Sequence, residues 1–196
     1  MRHAETVYNA RKIFAGRIDC ELSTKGIQDT LKSFSFKKDD FDVYYCSPLK
    51  RSIDTLKLVV QEVNNVLIDK RIIEIFIGDW EGKQKSDFPE DLLRAYRNGL
   101  YTPPSAETIQ EVDNRVISFV CELFEKYDNK TKILVVTHSG VMRSIKRNFV
   151  KDYEDIMSNN LDCLTLDERN YNYYLNKKRA YIKLKDEIEV FFRLSK

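Results

Sequence analysis

The chain has 196 residues, of which 42% are hydrophobic and 33% charged, the composition of one globular domain able to bury a core. A net charge of +2, with basic residues scattered along the chain, argues against a nucleic-acid partner, and no apolar run approaches the ~20 residues of a membrane span. The four cysteines, Cys20, Cys46, Cys121 and Cys163, form no Cys-x-x-Cys pair, and the N-terminus has no charged-then-apolar leader, so they read as reduced thiols in a cytoplasmic protein.

The first informative segment is Arg2-His3-Ala4-Glu5-Thr6, followed by Asn9. A histidine beside an arginine suits phosphate chemistry, because the guanidinium fork grips phosphoryl oxygens while a neutral imidazole attacks or donates. Val43 to Cys46 predicts a short strand that ends at Ser47-Pro48. Ser47 is placed as a helix cap with Pro48 in the first turn, and Ile53, Leu56, Val59, Val60 and Val63 follow at helical spacing. Ile72 to Ile77 is apolar except for Glu74, and Gly78-Asp79-Trp80-Glu81-Gly82 then predicts a loop. A charged helical stretch is expected over about Pro89 to Asn98, followed by a loop from Tyr101 to Pro104. A long amphipathic helix is expected from about Ser105 to Tyr127, with Val112, Val116, Phe119, Val120 and Leu123 on its apolar face.

Ile133 to Val136 reads as a strand buried on both faces, ending in Thr137-His138-Ser139-Gly140, with a helix from about Gly140 to Val150 beyond it. The tail from 163 to 194 is rich in β-branched and aromatic residues, and Tyr181–Lys185 with Ile188–Phe192 suggests a hairpin. The alternation predicts one α/β domain over 1–196: a three-layer sandwich with a mostly parallel central sheet and helices on both faces. A short lid over about 83–104 and the β-rich tail complete it.

Three of the chemistry-bearing segments lie where a strand gives way to a loop or helix, the edge at which open α/β sheets bind ligands. Each residue also has a plainer reading. His3 could be a surface residue near a frayed end, Arg17 and Arg51 solvated, Glu74 an outward strand residue, and Trp80 a packing residue. With only two histidines and dispersed cysteines, no metal ligand set and no cofactor are expected.

Taken together, Arg2-His3-Ala4-Glu5-Thr6 with Asn9, the block Gly16-Arg17-x-Asp19-x-x-Leu22-Ser23-x-x-Gly26, Ser47-Pro48-Leu49-x-Arg51, Glu74, and Thr137-His138-Ser139-Gly140 resemble the histidine phosphatase superfamily, the phosphoglycerate-mutase-like proteins. The resemblance runs from Arg2 to about Asn160, with Ala4 in place of the usual glycine. It implies the phosphoglycerate-mutase-like fold. It also implies that His3 is the nucleophile and Glu74 the general acid and then base, while Arg2, Arg51 and His138 surround the phosphoryl oxygens. Asn9, Arg17 and Ser139 with the backbone after His138 would complete the substrate pocket.

Mutases of the family carry a long insertion after the general acid and an Asn-Glu-Arg-His-Tyr-Gly signature around it. Here Ile73-Glu74-Ile75-Phe76-Ile77-Gly78 stands there, and only about twenty residues separate Gly82 from Pro104. This is similar to the small phosphatase branch that includes α-ribazole phosphatases and broad-specificity enzymes. The implied partner is a small phosphorylated metabolite; a homodimer is compatible with the chain. A phosphoglycerate mutase and a non-catalytic phosphate-binding homologue are the alternatives. The basic lid residues Lys83, Lys85, Arg94 and Arg97 are either solvated or select a second anionic group. Relatives place an apolar strand before the Arg-His pair, whereas only Met1 precedes it here. The expectation is therefore a truncated central strand, its slot lying between Val43–Cys46 and Ile133–Val136, and a natural chain that begins further upstream.

Overall fold

The computed structural model describes residues 1–60, 62–152 and 159–179. Three short parallel strands form the sheet: β1 (Val43–Cys46), β2 (Leu67–Ile68) and β3 (Ile133–Val136), in the order β2-β1-β3. β1 and β3 are in register from Val43 opposite Ile133 to Cys46 opposite Val136. Side chains alternate across a strand. Tyr44, Cys46, Leu134 and Val136 therefore face one layer, packing with Leu56 and Val59, while Tyr45 faces the other, with Val43, Ile133 and Val135 packed beside it. Both faces are covered, which is why these strands are continuous apolar runs.

Helices α1 (Val7–Ala10), α2 (Thr24–Ser33), α3 (Lys50–Val59), α4 (Glu90–Arg97), α5 (Ile109–Lys126) and α6 (Ser139–Phe149) surround the sheet. α3 belongs to the layer of Tyr44 and Cys46, and α5 and α6 to the opposite one. Val112, Val116, Phe119 and Val120 of α5 are all buried against α6 residues Val141, Ile145 and Phe149. Each such side chain contributes ~1.5–3 kcal/mol through burial.

Several expectations change in the structure. β1 and β3 are direct neighbours, so no slot lies between them. The segment before the Arg-His pair instead runs along the other edge of β3: Thr137 N–H donates to Met1 O at 2.9 Å, His3 N–H to Thr137 O at 2.9 Å, and the Met1 amine to Val135 O at 2.8 Å. Met1 to His3 thus pair Val135 O and both backbone groups of Thr137 on that edge. The edge strand on the far side is Leu67–Ile68, both exposed, and residues 73–77 form no strand although they are apolar.

α5 starts at Ile109, not near Ser105, because Thr108 and Glu111 form a reciprocal capping box, and Ser105 has a φ of 61° that a helix cannot hold. α3 ends at Val59 instead of running to Val63; left-handed Glu62 (φ 56°) falls just beyond it. The tail also departs from a β reading, since residues 168–179 form a seventh helix, α7. Asp167 accepts from Arg169 N–H, and Asn170 Oδ1 reaches back to Asp167 N–H. Tyr171 then stacks on Phe124 and Tyr174 lies against Phe149, a spacing of three that suits a helix. The suggested hairpin at 181–192 lies outside the described residues.

The lid comprises a 3-10 turn at Lys85–Asp87 and α4. It is held by a small core of its own: Trp80, 4% exposed, packs among Phe14, Phe88, Tyr96 and Tyr101. Trp80 is therefore a packing residue. Among the described residues, no helix is long and apolar enough to cross a membrane.

Candidate active site

His3 and His138 come together from opposite ends of the chain because the segment of His3 pairs with the end of β3, just before His138. Their ring centroids are 5.2 Å apart and their planes cross at 59°. Both rings are buried, His3 being 3% exposed and His138 fully buried. His3 Nδ1 lies 2.7 Å from Ala4 O. A carbonyl only accepts, so Nδ1 carries the proton and Nε2 keeps its lone pair, the arrangement a nucleophile requires. Ala4 N–H is fixed by Thr55 Oγ1 at 2.9 Å, and His3 O accepts from Asn160 Nδ2 at 3.0 Å. The nucleophile candidate is thus braced on both sides of its backbone.

Burial pushes the His3 ring well below the usual histidine range, with Arg51 and then Arg2 adding to the effect. His138 is pushed down in the same way by burial, then by Arg51, His3, Arg2 and Arg115. Both rings are neutral at pH 7. His138 Nε2 lies 2.6 Å from Ser47 Oγ and 3.3 Å from Ser52 Oγ. A serine hydroxyl donating to Nε2 leaves the His138 proton on Nδ1, which is buried and has no protein partner. Ser47 was expected as the cap of α3; the cap position is Leu49, and the Ser47 hydroxyl lies against the histidine instead.

Arg51, in the first turn of α3, is 1% exposed rather than solvated. Its Nη1 donates to Ile18 O at 2.9 Å and its Nη2 to Gly16 O at 2.7 Å. The buried Nε has no protein partner. Burial lowers the pKa of Arg2, with Glu74 and Asp162 opposing the shift, but a guanidinium stays charged at neutral pH.

Glu74 sits in the loop after the 3-10 turn at Lys70–Ile72, half-buried. Its Oε1 accepts from Ile75 N–H at 2.9 Å and from Gly140 N–H at 3.1 Å. Gly140 is the second residue of α6, so Glu74 meets the N-terminal end of the helix that His138 caps. Ser139 begins that helix, and its buried Oγ has no protein partner. Asn9 closes the capping box of α1 with Thr6, and its Oδ1 also accepts from Asn160 Nδ2 at 3.3 Å.

Arg17 is turned toward the Glu74 loop. Its Nε donates to Glu74 O and its Nη2 to Glu107, each at 3.0 Å. Of the lid cations, Lys83 and Arg94 are exposed and Arg97 pairs with Glu90 at 2.8 Å. Lys85 is half-buried, and its ammonium is pushed below the usual lysine value by burial, then by Arg2, Arg97 and Lys12. A narrow cleft beside Glu74, lined in part by Ile75, Tyr96, Tyr101, Gly140 and Arg143, has a free volume of about 20 Å³, room for a water molecule.

Ser47 and Thr55 belong to the segment around Arg51 that the sequence marks out, whereas Ser52, Glu107, Arg115 and Asn160 hold site residues with no motif of their own to reveal them. Among the described residues, no three of His, Cys, Asp and Glu gather as a metal ligand set.

Known proteins resemble this chain in sequence and fold. A phosphoserine phosphatase of Hydrogenobacter thermophilus is 32% identical over 152 residues, covering 74% of this chain and 72% of its own. A 2,3-bisphosphoglycerate-dependent phosphoglycerate mutase of Rhizobium etli is 28% identical over 160 residues, covering 75% and 77%. The crystal structure of the α-ribazole phosphatase of Shigella flexneri superposes with a TM-score of 0.61 at 30% identity, covering 76% of this chain and 77% of that one. The fold is that of these phosphoglycerate-mutase-like neighbours. The family description that matches residues 1–173 is the histidine phosphatase superfamily, branch 1, and the chain belongs to it.

Proposed function

We propose that the chain is a phosphomonoesterase that hydrolyses a small phosphorylated metabolite through a phosphohistidine on His3. The observation that carries this reading is the pair of buried, neutral histidines at 5.2 Å beside Arg51, with His3 Nδ1 committed to a carbonyl and its Nε2 left nucleophilic. In the first step His3 Nε2 attacks phosphorus and the phosphorus–ester oxygen bond breaks. The leaving oxygen takes a proton from Glu74 and departs as the alcohol. In the second step water gives a proton to Glu74 and attacks the phosphohistidine. The phosphorus–nitrogen bond breaks, releasing phosphate and restoring His3 and protonated Glu74. Covalent catalysis thereby divides one hard displacement into two easier ones.

Arg2, Arg51 Nε, His138 Nδ1 and the Ser139 N–H at the start of α6 are the donors for the phosphoryl oxygens. They are fixed before substrate arrives, so little reorganisation is needed as charge develops. Ser139 and Asn9 border the substrate. The Lys85 ammonium, half-buried and within the influence of Arg2, supports a substrate with a second anionic group.

Mutase chemistry is the second reading, since several relatives are named 2,3-bisphosphoglycerate-dependent phosphoglycerate mutases. The short lid favours hydrolysis, because a mutase must keep its phosphohistidine from water while the substrate reorients. Incubation with 3-phosphoglycerate and a trace of 2,3-bisphosphoglycerate tests the choice. The proposal expects phosphate release with little 2-phosphoglycerate; rapid interconversion with little phosphate would overturn it.

A further inference from the structure

Glu74 lies in the loop between the 3-10 turns at Lys70–Ile72 and Gly78–Trp80, with no strand or helix of its own to hold it. What fixes it lies behind it. The Glu107 carboxylate, just before the α5 cap, accepts from Arg115 Nε at 2.7 Å and Arg115 Nη2 at 2.9 Å, a two-pronged pair. It also accepts from Arg17 Nη2 at 3.0 Å and Phe76 N–H at 3.3 Å, while Glu107 N–H donates to Phe76 O at 2.8 Å. Arg115 Nη1 donates to Arg71 O and Ile73 O, each at 2.7 Å, and Nη2 reaches Glu74 O at 3.4 Å. Arg17 Nε donates to the same Glu74 carbonyl at 3.0 Å. Four successive or near-successive backbone positions, Arg71, Ile73, Glu74 and Phe76, are thus gripped by one acid and two arginines.

We propose that Glu107, Arg115 and Arg17 are positioning residues for Glu74: the triad clamps the backbone on both sides of the acid and sets where its carboxylate meets the leaving oxygen. This rests on the reading of Glu74 as general acid and base. Arg51 is held separately, by Gly16 and Ile18, and Arg115 bears on His138 through its charge, the last of the causes acting on that ring. Loss of the clamp should therefore impair proton transfer more than phosphoryl recognition. Bidentate pairing with a carboxylate is a property of arginine that lysine does not reproduce, so the 115 position is expected to be intolerant of lysine.

The test compares Glu107→Gln, Arg115→Lys and Arg115→Met with the native enzyme on two substrates. An alkyl phosphate needs a proton on its leaving oxygen; p-nitrophenyl phosphate does not. The first-turnover release of p-nitrophenol is expected to change by less than about threefold, while kcat on the alkyl ester falls by up to ~100-fold, the cost of a misplacement of about 1 Å. KM for the alkyl ester should move little. The same substitutions in a Glu74→Gln background should cost nothing further, because nothing remains to be positioned.

Equal losses on both substrates, or losses that persist undiminished in the Glu74→Gln background, would overturn the proposal and leave the triad a general stabiliser. If the Arg115 variants fail to fold, Glu107→Gln, which keeps the side chain's size and weakens the same pairing, is read in the same way. Glu74→Gln alone separates the two levels of failure. If it shows no leaving-group dependence, the acid reading fails and the positioning proposal falls with it. If it does, and the clamp variants do not, only the positioning proposal fails.

Discussion

Replacing Gly140 by alanine adds one methyl group at the point where the helix end, the acid and the loop meet. Gly140 has no positive φ, so alanine fits the backbone, and within a helix alanine is favoured over glycine by up to ~1 kcal/mol. A Cβ built there would lie 2.5 Å from Glu74 Oε1 and 2.5 Å from both Cδ1 and Cγ1 of Ile75. Ordinary contact requires roughly 3.5 Å, so the carboxylate and the isoleucine must retreat by about 1 Å. Overpacking of this kind costs ~1–3 kcal/mol, which offsets the helix gain and leaves the protein destabilised by up to ~2 kcal/mol.

The catalytic effect should exceed the structural one. The retreat breaks the Gly140 N–H hydrogen bond to Glu74, leaving only Ile75 N–H, and a charged hydrogen bond of this type contributes ~1.5–3 kcal/mol. That corresponds to a loss of about 10- to 150-fold in the Glu74-dependent step. The assay is kcat on an alkyl phosphate together with thermal unfolding of the same sample. An alanine variant that gains ~1 kcal/mol of stability and keeps native activity on the alkyl ester would refute the contact and the role of Glu74 together.

Other consequences follow from the same geometry. Both histidines are held neutral in the folded protein by burial and neighbouring arginines, whereas in the unfolded chain they titrate near 6.5. Their contribution is therefore intact above about pH 6.5 and declines as pH falls toward their depressed folded values, by up to ~1.4 kcal/mol per pH unit for each ring or ~2.7 for both. Urea unfolding at several pH values should show that slope roughly halved in His138→Gln, and a flat profile between pH 7 and 5 would contradict the burial argument. Ser47→Ala removes the 2.6 Å partner of His138 Nε2 and should lower kcat/KM about 5- to 100-fold, the effect of an unmade buried hydrogen bond; native activity would show that Ser47 does not orient the ring. Lys85→Met should raise KM for phosphoserine more than for p-nitrophenyl phosphate, and equal effects on both would remove Lys85 from substrate selection.

The parts of this molecule that were legible in the sequence are those fixed by local chemistry. Ile133–Val136 and Val43–Cys46 are buried on both faces, so they had to be apolar throughout and could be located within a residue. His3 and His138 stood out as the only two histidines, each in a motif suited to phosphate chemistry, and Arg51 through the family resemblance; the fold brings the rings together with the Arg51 charge near both. What was not legible depends on partners distant in sequence. Ser47 has the local credentials of a cap, yet its hydroxyl is claimed by a histidine 91 positions away. Ile72, Ile75 and Ile77 pack into the core without pairing, so the plainer reading of Glu74 as a strand residue does not hold, and the short edge strand Leu67–Ile68 was too brief to register. Glu107 resembles any acidic residue near a helix start until Arg115, two turns along, and Arg17, 90 positions away, converge on it. The neighbour relation of β1 and β3 is a matter of topology, and a period of two along a strand says nothing about which strand lies beside it.

The account turns on a covalent phosphoryl group at His3, and trapping it is the most direct measurement. Glu74→Gln should form the phosphoenzyme from p-nitrophenyl phosphate, which needs no proton on its leaving group, and then stall because no base activates water. The account predicts a burst of p-nitrophenol close to one equivalent per chain and a peptide containing His3 that is heavier by one phosphoryl group, both absent in His3→Ala. A burst with the phosphoryl group on another residue, or steady hydrolysis with no adduct and full activity in His3→Ala, would contradict it.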